Sequence, residues 1–435
     1  MITKLLAAIL AGFAVAIPLI FWLLKKVRIK SKVRHVQVAL ALGLPTALFI
    51  YLLQTSFALP VVVATISFAL VIAAIELTLR WIVSSSLSKR TSHGMGKIGS
   101  GVAFEEARAA AGAYPDDYMT ESLWLEMQQF MESRSLQKQN FKSASSADSP
   151  VKSFEMHANI NFVGINYSMV DGIRGTTDAR NSIDQPNMFL FGGSTVLCEE
   201  VPDRLTNASI LQRILNSLQE SVQVFNYGAS GATSIDRVQM LLQVTNIKKG
   251  DVVVFYFGDN DSGWLDHRSG KPSEQLVWLP IRALRALSEL GIETARWLYG
   301  EFAPRSFRKF SRQAVEETIN ALNLAFEHSS SKGAHMVAIL QPNLYTLRTK
   351  SQYERQLEKR FSIDMRNLVL DAYMRYEEWV KETPYAVSAK HIFDDAAAPV
   401  FLDWAHVNAR GNEIIAKFIY EELQRQKILS SDSKL

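Results

Sequence analysis

The chain has 435 residues and 48.8 kDa, with 48% apolar and 21% charged residues; this allows two or three domains of ~100–200 residues and excludes wholesale disorder. A single cysteine, Cys198, excludes an intramolecular disulfide and a Cys-built zinc site. The net charge of +4 is uneven: residues 1–90 hold ten Lys/Arg and one acid, Glu76, while the rest holds 37 Lys/Arg and 42 Asp/Glu, so the basic pI does not point to a nucleic-acid partner.

The positive charge lies beside apolar runs. Leu5 to Leu24 carries no charge, and its 20 residues suffice to cross a hydrocarbon core of about 30 Å. Val36 to Phe57 is likewise uncharged, with Pro45 as a kink, and Ala58 to Leu79 follows with Glu76 near its end. Three such runs in succession predict transmembrane helices at about 5–24, 36–57 and 58–79 rather than buried core helices. The first is long for the apolar part of a signal peptide, and Lys25, Lys26 and Arg28 follow it where a small-residue cleavage site would stand. The loop after it also carries Lys30, Lys32 and Arg34; the connection between the second and third runs is uncharged; Arg80, Lys89 and Arg90 follow the third. The positive-inside rule then predicts a multi-pass membrane protein, in the inner membrane if bacterial, with its N-terminus outside and everything after residue 80 in the cytoplasm.

Residues 91–154 read as a helical segment and a linker. Phe104, Ala107, Ala110 and Ala111, then Leu123, Leu125, Met127 and Phe130, predict helix over 101–133, broken by the turn Tyr114-Pro115-Asp116-Asp117. Ser133 to Ser153 is rich in Ser, Lys and Gln and reads as linker.

From about 155 to 428 the pattern changes, with a short tail over 429–435. β-rich runs at Met188–Phe191, Val222–Asn226, Asp251–Phe257, His335–Gln341 and His391–Phe393 alternate with helical stretches. The helices are expected at Ala208–Leu218, Ile235–Val244, Ala314–Glu327, Tyr353–Lys381 and Asn408–Gln424. Such alternation predicts a parallel sheet covered on both faces, a flavodoxin-like three-layer α/β/α sandwich. Right-handed crossovers put the strand C-termini on one edge, where ligands bind.

The residues after each strand are therefore the informative ones. Gly192-Gly193-Ser194-Thr195 follows the first; its glycines permit a sharp turn with positive φ and an exposed Ser194 hydroxyl, although alone it reads equally as an ordinary Gly-Ser turn. Asn226-Tyr227-Gly228-Ala229-Ser230-Gly231 follows the second, small enough for close approach to a ligand or simply a βα loop. Gly258-Asp259-Asn260-Asp261 follows the third and can aim an amide at developing negative charge. Asp259 and Asp261 without further spaced ligands make a poor metal site, and capping or solvation is the expected role. Near the C-terminus, Asp403-Trp404-Ala405-His406 can turn so that the carboxylate fixes the imidazole tautomer and leaves the other nitrogen as a base.

Taken together, these four blocks in this order resemble the SGNH hydrolases, the GDSL esterase/lipase superfamily, over about residues 185–425. Gly193 stands where Asp is common in that superfamily, though many relatives have Gly-Gly-Ser. The resemblance implies the SGNH hydrolase fold. It also implies Ser194 as nucleophile, His406 as base, and Asp403 as the group orienting it. The oxyanion hole would be the Ser194 N–H, the Gly231 N–H and the Asn260 amide, with Gly228 as runner-up to Gly231. No metal or organic cofactor is implied.

Residues 271–312 interleave Leu276, Trp278, Ile281 and Trp297 with Arg282, Arg285, Arg296 and Arg305. They read as a helical insertion packed on the domain, with a lid or a membrane-surface helix as the alternative. His267 is expected as a loop histidine and Cys198 as a small buried residue. The expected function is a membrane-anchored serine esterase removing an acyl group, such as acetyl, from a glycan or lipid. The alternatives are an O-acyltransferase on a polysaccharide and an idle SGNH-fold binding module of an envelope-polysaccharide assembly system. The resemblance to anchored relatives that act on cell-surface polysaccharides runs against the cytoplasmic placement that the loop charges predict.

Overall fold

The computed structural model describes residues 122–123, 125–133, 160–179, 185–263, 265–266, 271–272, 284, 293–359, 361 and 363–429. The three apolar runs, most of the 91–154 segment, His267 and the tail after 429 lie outside them. Among the described residues no helix is long and apolar enough to cross a membrane. The chain divides into two compact units, Met1–Met95 with Glu274–Ser306 and Gly96–Ser273 with Phe307–Leu435. The second carries the α/β architecture.

It opens with three short strands, β1 (Phe162–Val163), β2 (Ser168–Val170) and β3 (Ile173–Arg174), joined antiparallel. Four longer ones follow: β4 (Asn187–Gly192), β5 (Gln223–Gly228) and β6 (Val252–Phe257), then β9 (His335–Leu340), with β7 (Leu265–Asp266) and β8 (Lys271–Pro272) forming a separate hairpin between β6 and β9. β10 (Ala386–Ser388) completes an eight-stranded sheet of order β1-β2-β3-β5-β4-β6-β9-β10. Its core from β5 to β10 is parallel as expected. The whole sheet is mixed, however, because β3 pairs antiparallel with β5. These added strands are two or three residues long and cover an edge that β5 would otherwise leave open. Runs so short carry no readable alternation, so no residue pattern marks them.

The last expected strand is also corrected. Residues 391–393 form a turn, and β10 lies five residues earlier. Ile392 and Phe393 are apolar because they pack on the core from that turn.

The parallel strands are buried along nearly their whole length, with β6 buried at all six positions. Alternate residues serve two cores. Met188, Leu190, Val254 and Ile339 face helices α2 (Asn207–Ser217) and α7 (Ala409–Arg425), through Leu211, Leu215, Ile415 and Ile419. Phe189, Phe191, Val253 and Phe257 face α3 (Ser234–Leu241), α4 (Glu293–Ser331) and α6 (Ile363–Glu382), through Val238, Leu322, Val369 and Tyr376. The three layers follow from period-two strands sandwiched between amphipathic helices. The stretch expected as one helix over Tyr353–Lys381 is two, α5 (Gln352–Glu358) and α6, and Ser351 with Glu354 forms a capping box at the start of α5. α4 runs well beyond the expected Ala314–Glu327 and includes the second half of the 271–312 segment.

The helical residues 122–123 and 125–133 pack Leu123, Met127 and Phe130 with Tyr167 and with Met169 of β2. Arg174 is buried among them. Its Nε donates to Asp203 Oδ1 at 2.6 Å and its Nη2 to the Val201 carbonyl, while the guanidinium lies 4.6 Å from the Phe130 ring centre. Removing Asp203 leaves a buried guanidinium uncompensated. Asp203→Ala is therefore expected to lower unfolding stability by about 3–5 kcal/mol, read from urea melts of the full-length protein. A loss under about 1 kcal/mol would show that water replaces the carboxylate.

Candidate active site

The strand ends of β4, β5 and β6 converge on one cleft. Ser194 is the first residue of a one-turn helix, α1 (Ser194–Leu197), directly after β4. Its N–H, at a helix start, has no preceding-turn carbonyl to bond. The glycines before it serve close approach rather than the positive φ expected of them: Gly193 has φ −79°, and neither Gly192 nor Gly193 lies in the left-handed region. A Cβ on Gly192 would fall 2.4 Å from Val196 Cγ2, and one on Gly193 would fall 2.6 Å from Asn260 Nδ2. The absence of a side chain at 193 lets the Asn260 amide lie against the backbone beside Ser194.

His406 arrives from the other end of the chain. Asp403 to His406 sit in a tight loop pinched by an antiparallel bridge between Phe401 and Val407 and by Leu402 N–H donating to the His406 carbonyl at 2.8 Å. Asp403 Oδ1 accepts from the Ala405 and His406 N–H groups, each at 2.7 Å. Its Oδ2 lies 2.6 Å from His406 Nδ1, and His406 Nε2 lies 2.7 Å from Ser194 Oγ. The loop N–H groups thus hold Oδ1 and leave Oδ2 to the imidazole. Trp404 holds the turn from behind, stacked on Tyr345.

Burial would push Asp403 up, but His406, its ring hydrogen bond and the two N–H donors outweigh burial and hold the carboxyl below its ordinary range. Burial pulls His406 down, yet Asp403 foremost, then Glu200, raise it to about 10. Asn260 begins a 3-10 turn after β6, and its Nδ2 donates to the Ala232 carbonyl at 2.8 Å. Gly258, which ends that strand, has φ +136°, and a Cβ there would meet the Tyr373 hydroxyl at 2.8 Å, so only glycine fits.

Asp259 and Asp261 are not solvated. Asp259 is buried, accepts from Tyr373 and from Asn343 Nδ2, and is raised by burial to about 7. Asp261 accepts from the first N–H of α3 at Ser234 and from Gly258 N–H, so it caps one loop and ties it to the next. Asn226 acts as scaffold: its Nδ2 donates to the Val196 carbonyl and its Oδ1 accepts from Gly228 N–H. That occupied N–H removes Gly228 as an oxyanion donor. Gly231 has φ +72° with open space around it and precedes Ala232, which lines the cleft; Gly231 itself is not among the lining residues. Ser194, Asn260 and His406 do line it, and its volume is only ≈ 20 Å³.

Two features escaped sequence reasoning. Cys198 is buried as expected, its thiol pushed up to about 12 by burial, but it also turns the chain with φ 53° at the end of α1. Beyond that turn Glu200 Oε1 comes within 3.6 Å of His406 Nε2. A Glu-Glu pair five and six residues after a serine has no motif to announce it.

A family model described as GDSL-like Lipase/Acylhydrolase matches residues 176–419. Solved structures similar to this chain include a member of the lipolytic G-D-S-L family from Veillonella parvula, at 16% identity over 55% of this chain and 98% of that one, TM-score 0.33. A lipase/acylhydrolase from Enterococcus faecalis is 18% identical over 56% and 97%, TM-score 0.30. A psychrotrophic esterase, EstA, from Pseudoalteromonas is 13% identical over 55% and 97%, TM-score 0.29. No curated protein matches the sequence.

Proposed function

The chain belongs to the GDSL-like lipase/acylhydrolase family and is an ester-hydrolysing enzyme, and from that premise we propose that Ser194, His406 and Asp403 carry the reaction on a short acyl ester. The observation that carries this reading is the unbroken chain from Ser194 Oγ through both imidazole nitrogens to a buried carboxylate, at 2.7 and 2.6 Å. His406 Nε2 takes the hydroxyl proton as Oγ attacks the ester carbonyl. Asp403 holds Nδ1–H and favours the imidazolium that forms. The carbonyl oxygen, now negative, is received by the Ser194 N–H and the Asn260 amide, both in the cleft lining; Gly231, expected as the third donor, is not among the lining residues. His406 then gives its proton to the leaving alcohol, and water repeats the sequence on the acyl-enzyme.

The small cleft favours a short acyl group such as acetyl. The three uncharged N-terminal runs favour anchorage in a membrane and a substrate close to it, a glycan or lipid ester. The test uses the full-length chain in detergent. A fluorophosphonate probe is expected to form one adduct, on Ser194, and turnover of aryl acetate is expected to exceed that of aryl octanoate by about tenfold or more. A folded protein with no adduct and no turnover of any aryl ester would sink the assignment, and equal rates on both esters would sink the short-acyl part alone.

A further inference from the structure

Glu200 is a carboxylate that the steps above do not use. Its side chain is 10% exposed, and its Oε1 stands 3.6 Å from His406 Nε2. That is too long for a direct hydrogen bond, and Nε2 already has its partner in Ser194 Oγ at 2.7 Å. Among the described residues no Lys or Arg pairs with Glu200; His406 is its only cationic neighbour, while the charges of Glu199 and Asp403 oppose it. Burial and these two carboxylates raise it to about 7. Besides His406, its carboxylate has a hydrogen bond from its own backbone N–H, and it adjoins the reacting nitrogen. It is held there by the left-handed turn at Cys198, whose N–H donates to the Ser194 carbonyl at 2.8 Å.

We infer that Glu200 binds the water that releases the acyl group, and thereby favours hydrolysis over transfer to an alcohol. The inference rests on the Ser194 acyl-enzyme proposed above. Once Oγ is esterified it no longer donates to Nε2, and the nitrogen needs a new partner. One water lying ~2.8 Å from both Nε2 and Glu200 Oε1 can point a hydrogen at each. Its oxygen attacks the acyl carbon, the hydrogen on the His406 side passes to Nε2, and the other stays on the oxygen, held by Glu200. The tetrahedral intermediate collapses with cleavage of the bond from carbon to Ser194 Oγ. The proton on Nε2 returns to Oγ, and a carboxylic acid leaves. An alcohol has one hydrogen only. With that given to His406, its oxygen lone pairs face the Glu200 carboxylate, so an alcohol is disfavoured at the same place.

The experiment compares full-length wild type, Glu200→Gln and Glu200→Ala with aryl acetate in buffer containing methanol, measuring methyl acetate against acetate. This product ratio does not depend on the fraction of active enzyme, so partial misfolding of a variant leaves it readable. In Glu200→Ala the ratio is expected to rise about ten- to hundredfold, the worth of one hydrogen bond to a charged group, with a burst of aryl alcohol as the acyl-enzyme accumulates. Glu200→Gln, which keeps the shape and loses the charge, is expected to fall between. An unchanged ratio in both variants, with wild type turning over and labelled on Ser194, would overturn the inference. Wild type without Ser194-dependent turnover would instead overturn the esterase assignment of Ser194, and this inference with it.

Discussion

Ser194→Ala and His406→Ala are each expected to lower kcat on aryl acetate by about 10⁴–10⁶-fold, and the double variant to be no worse than either single one. The geometry requires this non-additivity. In the proposed mechanism Ser194 Oγ is nucleophilic only while Nε2, 2.7 Å away, takes its proton, and Nε2 has no proton to take once Oγ is gone. On the same proposal, the residual rate in either variant reports what Asn260 and the Ser194 N–H do by themselves. Single-turnover kinetics on the three variants would decide it. If the two losses multiplied, Ser194 and His406 would belong to separate steps and the shared proton transfer would be wrong.

Asp403→Asn is expected to cost about 10⁴-fold in kcat while leaving the fold intact. The Asn side chain can present its oxygen to the Ala405 and His406 N–H groups, which Asp403 Oδ1 now serves at 2.7 Å, so the loop keeps its shape. Its amide nitrogen then faces Nδ1 as a donor. The ring must accept there, which puts the proton on Nε2, where a base cannot carry one. The pH profile gives a second readout with a definite sign. His406 must be neutral to act, and it is raised to about 10 by Asp403 first and Glu200 next, against burial. Activity in the wild type is therefore expected to climb with pH along a limb well above the ordinary histidine value of about 6.5. In Asp403→Asn the largest of the raising charges is gone, burial pulls downward, and the limb is expected to move to lower pH. A limb in the same place in both proteins would mean that the group titrating is not His406.

What sequence could determine here was whatever leaves a local mark. Strands buried on both faces read as unbroken apolar runs, and β4, β5, β6 and β9 lie within one or two residues of expectation. The loops after β4, β5 and β6 and the Asp403–His406 turn could be read because chemistry demands particular residue types in short, fixed order. The antiparallel strands β1 to β3 could not be read, because two-residue strands have no period and exist only through the β5 edge they cover. Nor could the turn at 391–393, whose apolar residues owe their burial to neighbours in the fold rather than to a strand of their own.

The site divides in the same way. Sequence alone determined which serine, histidine and aspartate to examine, 212 residues apart at the widest. Only the tertiary structure decided the rest. It showed that Gly193 makes room for Asn260 rather than turning the chain through positive φ. It spent the Gly228 N–H on Asn226, and turned Asp259 and Asp261 inward as loop ties. It also brought Glu200 within 3.6 Å of His406 Nε2 through a cysteine with positive φ. The physical reason is common to all four. A hydrogen bond or a contact is set by where distant backbones come to rest, and that is fixed by packing two cores on one sheet, which no local pattern of residues records.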